Sequence, residues 1–233
     1  MESTILKNIT TLLLVYFTQS YAERKDLSGK MFTFPVESDT AHVILDPNES
    51  NSLTAVTTCL RFFSDLTRAQ SLFSFATPAS PNSFLFYKQV NHVYEINEYD
   101  NVVLFRGLED IANRWNSVCA TWNSQTGIAQ LWVNGKPSTR KGVRRGREIS
   151  GTPSIILGQD QDSYGGKFDK AQSFVGMLTD VHMWDKVLPY PEIALYMNGI
   201  PQKTGGNVIN WSSLDFTIKE YVLVEDFVNG LNG

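Results

Sequence analysis

Between positions 158 and 172 the chain reads Gly158-Gln159-Asp160-Gln161-Asp162-Ser163-Tyr164-Gly165-Gly166-Lys167-Phe168-Asp169-Lys170-Ala171-Gln172. Carboxylates and amides crowd together here, among glycines that let a chain curl. Calcium takes about six to eight oxygens from carboxylates, amides, backbone carbonyls and water. Asp160, Asp162, Asp169 and Gln172 can offer side-chain oxygens, and Gln161 its carbonyl. Carboxylates on one loop repel unless a cation lies among them. The stretch is not an EF-hand. Counted from Asp160, the sixth position is Gly165 as required, but the fifth is Tyr164 and the twelfth Ala171, and no helices flank it. The competing reading is a solvated acidic loop.

Such a loop needs a rigid frame, and the chain is rich in strand signals. Ala41–Leu45, Ala55–Phe63, Phe84–Tyr87, Val102–Phe105, Ser117–Trp122, Ile128–Val133, Ser154–Leu157, Val175–Trp184 and Tyr221–Val224 are apolar or alternating runs. Thr77–Ser83 reads as a breaker segment. Asn134-Gly135 after Ile128–Val133 signals a two-residue hairpin, since both residues accept positive φ. Short strands with turn residues between them predict an antiparallel sandwich. One helix is predicted over Pro189–Met197, with early prolines and an Asn198-Gly199 stop.

The chain has 233 residues, of which 42% are hydrophobic, 12% aromatic and 19% charged. This is globular composition, not that of a disordered or collagen-like chain. A net charge of −4 argues against a dedicated nucleic-acid binder. Met1–Ala22 resembles a cleaved secretory leader, with Lys7 before an apolar stretch from Ile9 to Phe17 and small residues at Ser20 and Ala22. Residues 23–233 then form one mature, extracellular domain, and no other apolar run is long enough to span a membrane. In an oxidising compartment Cys59 and Cys119, the only two cysteines, are expected to bridge. Asn48-Glu49-Ser50 lies in a polar turn and is a glycan acceptor candidate; Asn210-Trp211-Ser212 sits in apolar surroundings and is a poorer one.

Gly158–Gln172, followed by Ser173-Phe174-Val175-Gly176, resembles the calcium loop of the short pentraxins, the family of C-reactive protein and serum amyloid P component. Phe32–Thr40 resembles that family's first strand. Val118-Cys119-Ala120-Thr121-Trp122-Asn123-Ser124 resembles its signature, with Ser117 in place of the signature histidine. Gly127–Pro137, Met183-Trp184-Asp185 and Asn207–Trp211 also match in order. The resemblance implies an all-β, two-sheet antiparallel jelly roll with one short helix, a disulfide matching Cys59–Cys119, and assembly into a ring, usually a homopentamer. It implies two calcium ions per subunit, held by Asn82, Asp160, Gln161, Asp162, Asp169 and Gln172. These ions would bridge to phosphocholine, phosphoethanolamine or acidic glycans. Complement initiators and Fc receptors would engage the opposite face.

Some positions depart from the family. The first calcium pair, normally Asp-Asn, is Pro81-Asn82, and two family glutamates are the shorter Asp160 and Asp169. Three carboxylates then stand where the family has four, so one firm and one poor calcium site are expected. Ser80, Ser83 or a carbonyl near Pro81 are possible substitutes. The residues implied to contact the ligand beyond its phosphate are Leu85, Tyr87 and Asn97. The family's choline-facing glutamate falls on Val102, with Glu98 and Asp100 nearby as stand-ins.

The remaining features point to blander roles. The basic run Lys136, Arg140, Lys141, Arg144, Arg145 and Arg147 reads as a solvated hairpin edge. His42, His92 and His182 have no metal-like spacing. No strand carries the alternating acids of a sandwich glycosidase, so a binding protein is expected. The alternative to a calcium lectin is an adhesive module of the laminin-G kind, which shares a Trp-Val-Asn-Gly hairpin.

Overall fold

A computed structural model describes residues 24–48, 52–200 and 205–227. The leader expected at 1–22 lies outside them. The described residues hold sixteen strands: β1 Lys30–Phe34, β2 His42–Asp46, β3 Ala55–Phe63, β4 Gln70–Thr77, β5 Ser80–Lys88, β6 Val93–Glu98, β7 Asn101–Arg106, β8 Asn116–Asn123, β9 Ile128–Val133, β10 Lys136–Pro137, β11 Lys141–Gly142, β12 Ser154–Leu157, β13 Gly176–Trp184, β14 Ile209–Asn210, β15 Asp215–Lys219 and β16 Leu223–Asp226. One α-helix, α1, spans Tyr190–Met197, and one 3-10 turn spans Lys170–Gln172.

The strands form two antiparallel sheets. Sheet one runs β10-β9-β8-β3-β13-β1-β16, with β11 also on β9 and β14 on β13. Sheet two runs β15-β2-β12-β4-β5-β6-β7. The predicted two-sheet sandwich with one short helix is the fold observed. The period of two explains the packing. In sheet one Val56, Leu60, Phe62, Val118, Ala120, Trp122, Leu131, Val133 and Leu178 face inward; from sheet two come Phe73, Phe75, Phe84, Phe86, Tyr94, Ile96, Ile155 and Leu157. Aromatic edges lock the layers: Phe32 meets Trp211 and Phe216 with ring centroids 5.1 Å away in each case.

Residues of sheet one with the opposite phase face outward and build a second apolar cluster. Cys59, Cys119, Trp132 and Trp184 pack there against Ile193 and Tyr196 of α1. Cys59 and Cys119 are direct partners across β3 and β8, and their sulfurs are bonded. α1 starts one residue later than predicted, with Pro189 at its N-cap position, and Gly199, at φ 68°, ends it. Asn134 and Gly135 take positive φ in the expected hairpin.

Two expectations are corrected. Thr77–Ser83 is not a broad breaker: β4 continues to Thr77 and β5 begins at Ser80, so only Pro78-Ala79 turns. Strands β4, β6 and β15 were also not predicted. β4 is buried along its whole length, but Gln70, Ser71 and Ser74 interrupt its apolar run in the sequence.

Candidate functional site

The loop leaving β12 crosses the outer face of sheet two. Gly158, at φ 92°, makes this turn, and a Cβ there would enter the ring of Phe34. Gln159 ties the loop down by donating to the carbonyls of Ser38 (2.7 Å) and Ala41 (2.9 Å). Ser71 Oγ donates to the Gln159 carbonyl at 3.0 Å. The Gln161 side chain donates to Ser74 O and Ser154 O and accepts from Ser154 Oγ and Gly165 N. It is a strut, which leaves only the backbone carbonyl of Gln161 for a ligand. Phe174 returns the chain to the core beside Phe34, with ring centroids 5.7 Å apart.

Two of the loop's remaining side-chain oxygens are buried and unpaired. Asp160 is 5% exposed, and its Oδ1 has no hydrogen-bond partner. Burial, then the charges of Asp162 and Glu95, push its carboxyl up to about 7. Burial and Asp169 also raise Asp162. Asp169 Oδ1 caps the 3-10 turn, accepting from Ala171 N at 2.9 Å. Gln172 Oε1 is buried and unpartnered. Burial is the larger cause of both shifts, and the neighbouring carboxylates add to it.

Asn82 stands at the start of β5. Its Nδ2 donates to Asp100 Oδ1 at 3.2 Å, and its Oδ1 is buried without a partner. The two serines expected as substitutes for Pro81 are otherwise engaged. Ser80 Oγ accepts from Asn82 N at 3.2 Å, and Ser83 Oγ lies 2.7 Å from Thr77 Oγ1 and donates to Ser80 O. Among the described residues no three His, Cys, Asp or Glu side chains converge at metal-binding distance. The donor set still fits calcium, because amide and backbone oxygens supply part of it and three of its oxygens are buried with nothing to bind.

Beside this loop, β5 and β6 pair Leu85 with Asn97 and Tyr87 with Glu95. All four have the phase opposite to Phe84, Phe86, Tyr94 and Ile96, so they face outward. Leu85, Tyr87 and Asn97 thus share one patch. Val102 pairs with Asn97 at the rim and is 54% exposed. Neither proposed stand-in serves there. Glu98 has the core-facing phase; its buried carboxylate accepts from Arg144 Nη1 at 3.2 Å, and burial raises it to about 8. Asp100 is spent on Asn82. The carboxylate that does reach the patch is Glu95, which proximity in sequence passed over and strand phase would have found.

The other candidates resolve as structural. Arg144 stacks on Tyr99 at 3.4 Å, Lys136 donates to Gly107 O, Lys141 to Leu104 O and Arg145 to Gln125 O. The basic run is therefore largely bound to its own chain. His92 contacts Asp110 and His182 contacts Asp180, each at 3.1 Å, and His42 contacts Thr40 O at 2.6 Å. Asn48 is half-buried and donates to Asn207 O at 3.2 Å. A cavity of about 480 Å³ lies apart from the loop, at sheet one and α1, lined in part by Arg61, Asp180, His182, Tyr196 and Trp211. No sequence motif pointed to it.

Known proteins show the same frame. The Pentaxin family model matches residues 30–226. Serum amyloid P-component of Cavia porcellus is 40% identical over 218 residues, covering 94% of each chain. The Homo sapiens protein of the same name is 40% identical over 221 residues, covering 95% of this chain and 96% of that one. A native heptameric SAP-like pentraxin from Limulus polyphemus superposes with a TM-score of 0.77 at 23% identity, over 86% of this chain and 96% of that one. A match that begins in β1, ends in β16 and takes in both sheets, the disulfide and the oxygen-rich loop leaves one conclusion: the chain belongs to the pentaxin family.

Proposed function

We propose that this chain is the subunit of a secreted, ring-forming, calcium-dependent lectin that recognises phosphate-bearing or acidic groups on microbes and damaged cells. The observation that carries the reading is the set of buried, unpartnered oxygens on Asn82, Asp160 and Gln172 beside the carboxylates of Asp162 and Asp169. A folded protein leaves buried acceptors unpaired rarely, and an ion is one of the things that can complete them. Asn82, Asp160, Asp162, Asp169, Gln172 and the Gln161 carbonyl would hold calcium. Bound calcium would supply open coordination positions for an anionic oxygen.

Leu85, Tyr87 and Asn97 would receive the rest of the ligand. Each such site can be weak, because a ring multiplies contacts with a surface. Residues 1–22 would be removed on secretion, and Asn48 would be the glycan acceptor if its bond to Asn207 opens. The helix face of the ring would recruit complement initiators and Fc receptors. Pro81 supports a second reading, in which the frame persists as an adhesive or carrier module with weakened calcium chemistry.

Calorimetric titration separates the two. Calcium uptake followed by calcium-dependent uptake of O-phosphoethanolamine, both reduced by Asp162→Ala, is the expected result. An absence of calcium uptake would favour the adhesive reading.

A further inference from the structure

Arg68, in the connection between β3 and β4, holds the far end of the oxygen-rich loop. Its Nη1 donates to the carbonyls of Ala171 at 3.2 Å and Ser173 at 2.7 Å, one residue before and one after Gln172. The same nitrogen reaches Ala69 O at 2.9 Å, and Nη2 donates to Ser173 Oγ at 3.3 Å. Glu37 Oε1 accepts from Nε at 2.7 Å and steadies the guanidinium. Ser173 is tied to the turn in its own right. Its N and Oγ both donate to Lys170 O, and Gln172 N donates to Asp169 O. Glu37 belongs to the β1–β2 connection, whose Ser38 and Ala41 carbonyls receive Gln159 at the near end of the loop. His42, next in the chain, lies against Phe168 with ring centroids 4.8 Å apart. Residues 37–42 therefore foot the loop at three points, the last of them through Arg68.

A surface Arg–Glu pair adds little stability by itself. What this guanidinium fixes is the backbone on both sides of Gln172, whose Oε1 is buried with no donor. Asp160, Asp162 and Asp169 share the loop, and their charges push it apart when no cation is bound. We infer that Arg68 is a positioning residue for the metal loop: by clamping the carbonyls of Ala171 and Ser173 it sets Gln172 and the Asp169 turn in place before a cation arrives. A cation meeting a preformed site does not bear the cost of ordering it. This rests on the calcium-lectin reading and adds to it a residue outside the donor set. A lysine at 68 keeps the charge but loses the planar fork that reaches several carbonyls at once.

Calorimetric titration with calcium compares the wild-type protein with Arg68→Lys and Arg68→Ala. Both variants are expected to bind calcium about tenfold more weakly, as when a partner that orients a metal ligand is removed. The denaturation midpoint of the calcium-free protein is expected to stay unchanged. Full affinity in Arg68→Lys overturns the inference, because charge alone then suffices. A loss of affinity that comes with a clear fall in the midpoint also overturns it, because that marks a structural role. Hydrogen–deuterium exchange resolved by peptide gives a readout that needs no bound cation. In the calcium-free variants, segment 168–174 is expected to exchange faster than in the wild type, and saturating calcium is expected to restore its protection. Equal exchange in all three calcium-free proteins overturns the inference. If the wild-type protein takes up no calcium, the calcium reading fails and the inference with it; calcium uptake that both variants leave unchanged removes the inference alone.

Discussion

Asn82 Nδ2 donates to Asp100 Oδ1 across 3.2 Å, so the β6–β7 turn fixes the amide of a residue at the start of β5. The amide oxygen is left buried and unpaired. Asp100 thus acts through Asn82 as a positioning residue. Asp100→Ala is expected to lower calcium affinity about three- to tenfold with the fold intact, since the freed amide can rotate. Calorimetry with calcium, beside a circular dichroism control, measures it.

Pro81 brings no side-chain oxygen to the start of β5. Ser80 and Ser83 are committed to the turn and cannot fill the gap. Adding one carboxylate to a hard-cation site raises its affinity. Pro81→Asp is expected to tighten calcium binding about tenfold, ~1.4 kcal/mol. Unchanged affinity would mean that the first position does not face the cation in this chain.

The Cys59–Cys119 bridge closes a sequence separation of 60 and lies beneath α1. The double variant Cys59→Ala/Cys119→Ala is expected to lose about 2–5 kcal/mol of stability. Chemical denaturation with matched oxidised and reduced samples checks the loss.

Glu98 ties stability to pH. Its carboxyl titrates at about 8 in the fold, against 4.5 for the free group, because burial disfavours the charge. Between those values the unfolded chain has released a proton that the folded chain retains. Stability therefore falls as pH rises through this window, and the loss is complete above about pH 8. Glu98→Gln removes that contribution. The drop in melting temperature from pH 5 to pH 8 is expected to be smaller in the variant than in the wild type.

Apolar runs rich in β-branched and aromatic residues were legible in the sequence as strands, even where most of the strand is buried. Ala55–Phe63, Ile128–Val133 and Ser154–Leu157 have the predicted bounds. Strand β4 was not, because its serines are buried as deeply as its phenylalanines: Ser71 and Ser74 lie beneath the oxygen-rich loop and bind it. At the site, the loop acids could be read as a group because they are contiguous. The acid on the adjoining patch could not be found by closeness in sequence. Glu98 shares the phase of Tyr94 and Ile96, whereas Glu95 shares that of Asn97. The alternation was visible, but it decides the matter only once Val93–Glu98 is recognised as a strand.

The two outer faces of the sandwich carry unlike equipment, the disulfide and helix on one and the oxygen-rich loop on the other. Between them lies a close-packed double layer of phenylalanine, leucine and valine. Such a layer resists small displacements. A subunit built this way is a poor switch and a good tile. Any message from the loop side to the helix side would be written in the density and spacing of docked tiles, so a responding partner would count them and need not sense a change of shape.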